Sequence, residues 1–276
     1  MRRLYVDLPD GQVHVRTAGH GPIPIVLLHQ TAASSVMYEA FSDEFFRDRS
    51  ADDFTLFAID TPGFGMSYQP VEAYSLESWA DVVALVATEL GLDGFHVLGH
   101  HTGAAVAILV ASRHPERVLG LTMIGALVLP PAEAAERHAA VRGLVPVADG
   151  SHLLDVWEAV NTIDGDPLAY PPSLELRERE AVDKLLAGTR WHEAYLAVFS
   201  ADLAAPLASV GCPILLICGR ADVLRPYVPT TLAANPRAKC VELASGAYVL
   251  DQDPALVVGP FAAFLDAVPA AERVAS

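Results

Sequence analysis

The stretch Phe95-His96-Val97-Leu98-Gly99-His100-His101-Thr102-Gly103-Ala104-Ala105 constrains this chain more than any other. An apolar run short enough for a buried strand ends at Gly99, a second glycine follows at Gly103, and an alanine-rich helical pattern continues to about His114. This reads as strand, sharp turn and helix, with His101 at the tip of the turn.

The flanking segments supply a sheet for that unit. Residues 3 to 8 and 12 to 18 alternate apolar and polar positions around Asp10-Gly11, which predicts an antiparallel hairpin. Ile23-Pro24-Ile25-Val26-Leu27-Leu28 and Phe54-Thr55-Leu56-Phe57-Ala58-Ile59 are continuous apolar runs, as in parallel strands buried on both faces. Ser75 to Gly91 has helical periodicity through Trp79, Val82, Val83, Val86 and Leu90 and stops at a glycine. Val118 to Gly125 is a further strand. The strand signal then disappears for about eighty residues, replaced by helical segments near 131–144, 151–163, 172–188 and 191–203. It resumes at Cys212-Pro213-Ile214-Leu215-Leu216-Ile217-Cys218. A helix at 226–234, a strand at 239–243, a loop at 244–252 and a helix from Pro254 to about Ala267 follow, and the stretch after Ala267 reads as a frayed tail. The expected organisation is a core of residues 1–125 and 206–276 interrupted by a helical cap at 126–205.

Composition narrows the function. The 276 residues carry a formal net charge of −16 with lysine only at 184 and 239, which argues against nucleic acid and anionic membranes as partners. Mean hydropathy is +0.33, yet no run of 18 apolar residues occurs, and Asp7 and Pro9 interrupt the N-terminus before an apolar signal region could form. A cytoplasmic protein is expected. Cys212, Cys218 and Cys240 lack metal-type spacing and read as free core thiols, and neither metal nor cofactor is expected.

Four landmarks in order carry a resemblance: Leu27-Leu28-His29, Asp60-Thr61-Pro62-Gly63-Phe64-Gly65, Gly99-His100-His101-Thr102-Gly103, and Gly219-Arg220-Ala221-Asp222 after a late strand. Over nearly its whole length the chain resembles the cap-bearing α/β-hydrolase superfamily. The resemblance implies a mostly parallel sheet flanked by helices with an inserted helical cap, and makes Gly99–Gly103 the nucleophile elbow. It further implies an oxyanion hole from the backbone N–H groups of Thr102 and Thr31, and gives Asp222 the place of the acid that orients a catalytic histidine.

Two positions depart from the superfamily pattern. His101 stands where relatives carry serine, cysteine or aspartate. In the late loop Ser245-Gly246-Ala247-Tyr248-Val249-Leu250-Asp251-Gln252-Asp253-Pro254, Ala247 or Tyr248 falls where the histidine belongs. An ordinary Ser-His-Asp esterase is therefore not expected. An imidazole on the elbow would reach the space left by the missing one, so His101 is expected to meet Asp222 and serve as a general base. Direct nucleophilic attack by His101 and a catalytically silent, ligand-binding pseudo-hydrolase are the alternatives. His100 is expected to point away from His101 as packing, and His29 to be structural in the oxyanion loop. His29, Gln30, His192, Tyr195 and Tyr248 are the candidate pocket residues, with Trp191, Tyr195 and Val198 on one helical face. With no basic cluster in the cap, the expected partner is a small, uncharged, apolar carbonyl compound such as an ester, lactone or diketone, taken through hydrolysis or lyase/cyclase-type chemistry. The oligomeric state is not written in these patterns.

Overall fold

A computed structural model describes residues 1–163 and 166–268. The hairpin at the N-terminus is β1 (Arg2–Leu8) and β2 (Gly11–Gly19), paired antiparallel through the turn at Asp10-Gly11. The two continuous apolar runs are β3 (Ile23–Leu28) and β4 (Phe54–Ile59), separated by helix α1 (Glu39–Asp48). Helix α2 (Leu76–Glu89) begins where the Ser75 side chain accepts the Ser78 N–H at 3.0 Å. Next come β5 (Phe95–His100), α3 (Thr102–Arg113) and β6 (Val118–Ile124).

The stretch after β6 holds α4 (Pro131–Ala140), α5 (Ser151–Ala159), a short antiparallel pair β7 (Thr162–Ile163) and β8 (Asp166–Pro167), α6 (Leu174–Leu186), α7 (Glu193–Ser200) and α8 (Ala204–Ser209). The core resumes with β9 (Ile214–Gly219), α9 (Val228–Ala234), β10 (Lys239–Leu243), α10 (Val249–Gln252) and α11 (Pro254–Ala267). The expected loop at 244–252 thus contains a helical turn. The helix expected over 131–144 stops at Ala140, and the one expected over 191–203 is α7, which ends at Ser200; the separate helix α8 follows, with Asp202 accepting the Ala204 N–H at 3.0 Å just before it. The tail expected after Ala267 lies, from residue 269 on, outside the described residues.

Eight strands form one sheet in the order β1-β2-β4-β3-β5-β6-β9-β10, antiparallel at β1/β2 and β2/β4 and parallel elsewhere. Alternate residues of each strand serve opposite faces: Val26 and Leu28 pack with α2 and α3, while Ile25 and Leu27 pack with α1 and α11. Both faces are covered, which is why these strands read as unbroken apolar runs. This is the α/β-hydrolase fold. From β3 the chain crosses to β4 on one side, and β5 then lies on the other side of β3. The crevice outside the carboxyl ends of β3 and β5 is therefore the topological switch point, where open parallel sheets bind ligands. Among the described residues no helix is long and apolar enough to cross a membrane.

Candidate active site

The turn between β5 and α3 is as tight as its glycines allow. A Cβ on Gly99 would meet Gly103 O at 2.1 Å, and one on Gly103 would meet Leu28 O at 2.0 Å. Between them His101 adopts φ 49°, ψ −111°, the only non-glycine residue with positive φ among the described residues. Such a conformation in a side chain lifted off the end of a buried strand makes His101 a candidate functional position. His101 N–H is anchored to Ile124 O at 2.9 Å, fixing the turn against β6.

His101 Nε2 lies 3.0 Å from Asp222 Oδ2, although 121 residues separate the two. Asp222 follows β9, and its Oδ1 accepts the Leu224 N–H at 2.8 Å. Burial pushes the Asp222 carboxyl up, but the His101 imidazole and these hydrogen bonds outweigh it and hold the group below the usual carboxylate value. A carboxylate facing Nε2 selects the tautomer that carries its proton there, leaving the Nδ1 lone pair available. Gly125, with φ +62°, makes room for the pair: a Cβ there would sit 2.6 Å from His101 Cδ2 and 3.2 Å from Asp222 Oδ2.

His100 is fully buried beneath this pair, its ring centroid 4.2 Å from that of His101 and neither ring nitrogen hydrogen-bonded among the described residues. The strand alternation that should turn it away ends at the elbow, where the positive φ swings His101 back over its neighbour. Burial, and after it the adjacent imidazole, hold His100 well below the usual histidine range, so it packs as a neutral ring. One nitrogen or oxygen from each of His100, His101 and Asp222 fall within 4.8 Å of one another, a grouping the sequence reading of no metal site did not anticipate.

A cavity of about 250 Å³ opens in front of His101. Thr31 and Thr102 line it, joined by a 2.8 Å hydrogen bond between their hydroxyls. Thr102 is the first residue of α3, where backbone N–H groups have no partner within the helix. Tyr195 lines the cavity and donates from its hydroxyl to Thr31 O at 3.2 Å, tying α7 to the loop after β3. Gln30 and Tyr248 also line it, Tyr248 donating to Val160 O at 2.9 Å. Two candidates lie elsewhere. His29 is sealed between loops, its Nδ1–H donating to Gln30 O at 2.8 Å and its Nε2 accepting the Thr61 N–H at 3.0 Å. His192 stands off the wall, with Nδ1 3.0 Å from Thr189 O.

The sequence reading missed Arg137, Glu180, Lys184 and Tyr227 on the wall. Glu180 and Lys184, one turn apart on α6, are the findable ones: charged residues at helical spacing on an element expected to roof a pocket. Below them Asp183 accepts the Ser34 hydroxyl at 3.0 Å, and burial, reinforced by Glu180, pushes its carboxyl up to about 7. A carboxyl raised in the folded state contributes stability that is complete below its unfolded pKa and lost as pH rises through about 7. Asp183→Asn is therefore expected to remove a fall in unfolding free energy of up to about 1.4 kcal/mol per pH unit between roughly pH 4 and pH 7. Urea titrations at several pH values check this, and an unchanged slope would refute it.

Known proteins give this geometry its context. Residues 23–244 match the alpha/beta hydrolase fold family. The 2-hydroxymuconate semialdehyde hydrolase of Pseudomonas sp. (strain CF600) is 30% identical over 192 residues, 64% of this chain and 63% of that protein. The 2-hydroxy-6-oxononadienedioate/2-hydroxy-6-oxononatrienedioate hydrolase of Pseudomonas sp. is 28% identical over 130 residues, 44% of each. The chain thus matches less than two thirds of the length of either relative. The crystal structure of a hydrolase from Pseudomonas aeruginosa PA01 superposes with a TM-score of 0.77 at 22% identity, covering 96% of this chain and 98% of that one. With the family match running from β3 to the loop after β10, and an eight-stranded sheet bearing a strained turn at its switch point, this chain belongs to the alpha/beta hydrolase fold family.

Proposed function

We propose that His101, oriented by Asp222, is the general base of a hydrolase-fold enzyme acting on a small carbonyl compound with an apolar body, such as an ester, lactone or diketone. The observation that carries this is the 3.0 Å contact between His101 Nε2 and Asp222 Oδ2; Ala247 and Tyr248, one of which falls where the resemblance puts the family's histidine, both line the cavity. In this reading Nδ1 removes a proton from water as the water oxygen adds to the carbonyl carbon. The backbone N–H groups of Thr31 and Thr102 hold the resulting oxyanion, and the imidazolium returns its proton to the departing oxygen or carbon. The same base and donors would serve proton abstraction beside a carbonyl, with the enolate in place of the oxyanion, as lyase or cyclase chemistry requires. Residues 126–205 act as the cap, its α7 and α6 closing the cavity over His101. The substrates for which the two relatives are named, unsaturated oxo acids, belong to the same broad carbonyl class.

Asp222→Asn tests the orientation. An amide facing Nε2 donates where the carboxylate accepted, so Nε2 becomes the acceptor and Nδ1 carries the proton. Oδ1 still takes the Leu224 N–H, which preserves the loop. The expected result is a loss of kcat of about 10³- to 10⁴-fold with KM little changed, on whichever carbonyl compound of an ester, lactone and diketone panel the protein turns over. An unchanged kcat would remove Asp222 from the reaction. No turnover on the panel, with ligands still bound, would favour the silent binding protein. A serine-directed fluorophosphonate should leave the elbow unlabelled.

A further inference from the structure

The charges on the cavity wall do not cancel. Arg137 donates from Nε to the Tyr227 hydroxyl at 2.8 Å and reaches Glu133 Oε1 at 3.4 Å. Glu180, almost wholly buried, is held by Arg179 at 2.6 Å and receives Gln30 Nε2 at 3.4 Å. Lys184 is different. It is 8% exposed and lines the cavity, yet among the described residues its ammonium has no hydrogen bond and no carboxylate within salt-bridge distance. Its one interaction is with the Trp191 ring, whose centroid lies 5.6 Å from Nζ. A cation–π contact at that range is worth little against the desolvation of an ammonium and leaves its three N–H donors unused. Lysine is almost never this buried without a partner.

We propose that Lys184 is the anion-binding residue of this cavity, and that the substrate carries, besides its reacting carbonyl, a carboxylate that pairs with the Lys184 ammonium. This rests on the reading of the cavity as the place where His101 acts. The charge count selects a monocarboxylate over a phosphate: Arg137 is already balanced by Glu133 and Glu180 by Arg179, which leaves one cation on the wall to meet one negative charge. The uncharged substrate expected from the lack of a basic cluster is replaced by one that needs a single cation. A solitary lysine on α6 leaves no cluster for sequence reading to find.

Binding measured apart from turnover tests this. The probes are 6-oxoheptanoate and its methyl ester, titrated by calorimetry into the intact protein and into Lys184→Met and Lys184→Arg. The expected result is that the wild type binds the acid at least about tenfold more tightly than the ester. Lys184→Met should lose that preference while keeping its affinity for the ester, and Lys184→Arg should retain it. Equal affinity of the wild type for both probes, binding of neither at millimolar concentration, or a preference that survives in Lys184→Met would overturn the assignment. Tighter binding of butyl phosphate than of the acid would overturn the choice of carboxylate. A preference for the acid that holds in a protein whose turnover is insensitive to Asp222→Asn would sink the catalytic reading and leave the anion site standing.

Discussion

His101→Gln is expected to reduce turnover by about 10²- to 10⁴-fold while leaving the fold and ligand binding in place. The side-chain amide keeps an N–H donor for Asp222 but has no basic lone pair to take a proton. His101→Ala should lose as much activity and stability besides. It removes the donor from a carboxylate that is 4% exposed, leaving the Leu224 N–H as its remaining partner and costing about 1 to 3 kcal/mol. The two variants therefore separate chemistry from structure. Asp222 adds a signature in pH. Its lowered carboxyl gives the wild type stability that is present above the unfolded carboxylate pKa and lost as pH falls through the folded one. In His101→Ala the largest influence opposing burial is gone while the Leu224 N–H remains, so the carboxyl shifts up from its wild-type position and that contribution shrinks. Steady-state rates together with thermal melts at acidic and neutral pH measure both effects. Rates equal to wild type in both variants would end the general-base reading.

The sequence carried the sheet because its strands are buried on both faces and so are continuous in composition. The ends of β3, β4, β5 and β6 fall within a residue or two of the apolar runs. Helix α1 left no such trace. It faces the core through Phe41, Ser42 and Phe45, with Phe46 at the edge, and is charged at Glu39, Asp43, Glu44, Arg47 and Asp48, too short a stripe to separate from loop. His101 and Asp222 were legible because each sits in a backbone motif whose glycines impose the geometry, whatever side chain the tip carries. The cavity wall was not. Which side chains of α4, α6 and α7 turn inward depends on how helices dock: of the three residues that spacing put on one helical face, Tyr195 and Val198 line the cavity, whereas Trp191 packs against Lys184. His29 illustrates the converse: its place directly after β3 is plain in sequence, but both ring nitrogens are spent on Gln30 O and Thr61 N–H, bracing one loop against the next.

The same dependence on backbone makes Gly103→Ala a severely damaging small substitution. Its methyl would lie 2.0 Å from Leu28 O, 2.5 Å from Leu28 C and 2.8 Å from His29 O, all backbone atoms that no rotamer change can move. Relief requires α3 to back away from the end of β3. That movement opens the core lined by Val26, Leu28, Ala104 and Ile108 and carries Thr102 away from Thr31. The cost should exceed about 3 kcal/mol, at or beyond the upper end for overpacking, because both strain and lost burial contribute. Two other glycines calibrate it. Gly91 has open space around its missing Cβ but φ +70°, so Gly91→Ala isolates the conformational penalty of about 1 kcal/mol. Gly259 lies inside α11 with no positive φ and nothing near its missing Cβ beyond its chain neighbours, but it precedes Pro260, whose Cδ crowds a Cβ on the helical residue before it; this offsets the usual helical gain of about 0.5 to 1 kcal/mol, and Gly259→Ala should leave stability close to wild type. Denaturant midpoints for the three variants should fall in the order Gly259→Ala near wild type, Gly91→Ala modestly below, and Gly103→Ala far below or unfolded. A Gly103→Ala protein as stable as Gly91→Ala would mean that α3 does not press on β3 as closely as the elbow demands, and Thr102 would lose its claim to a fixed place beside Thr31.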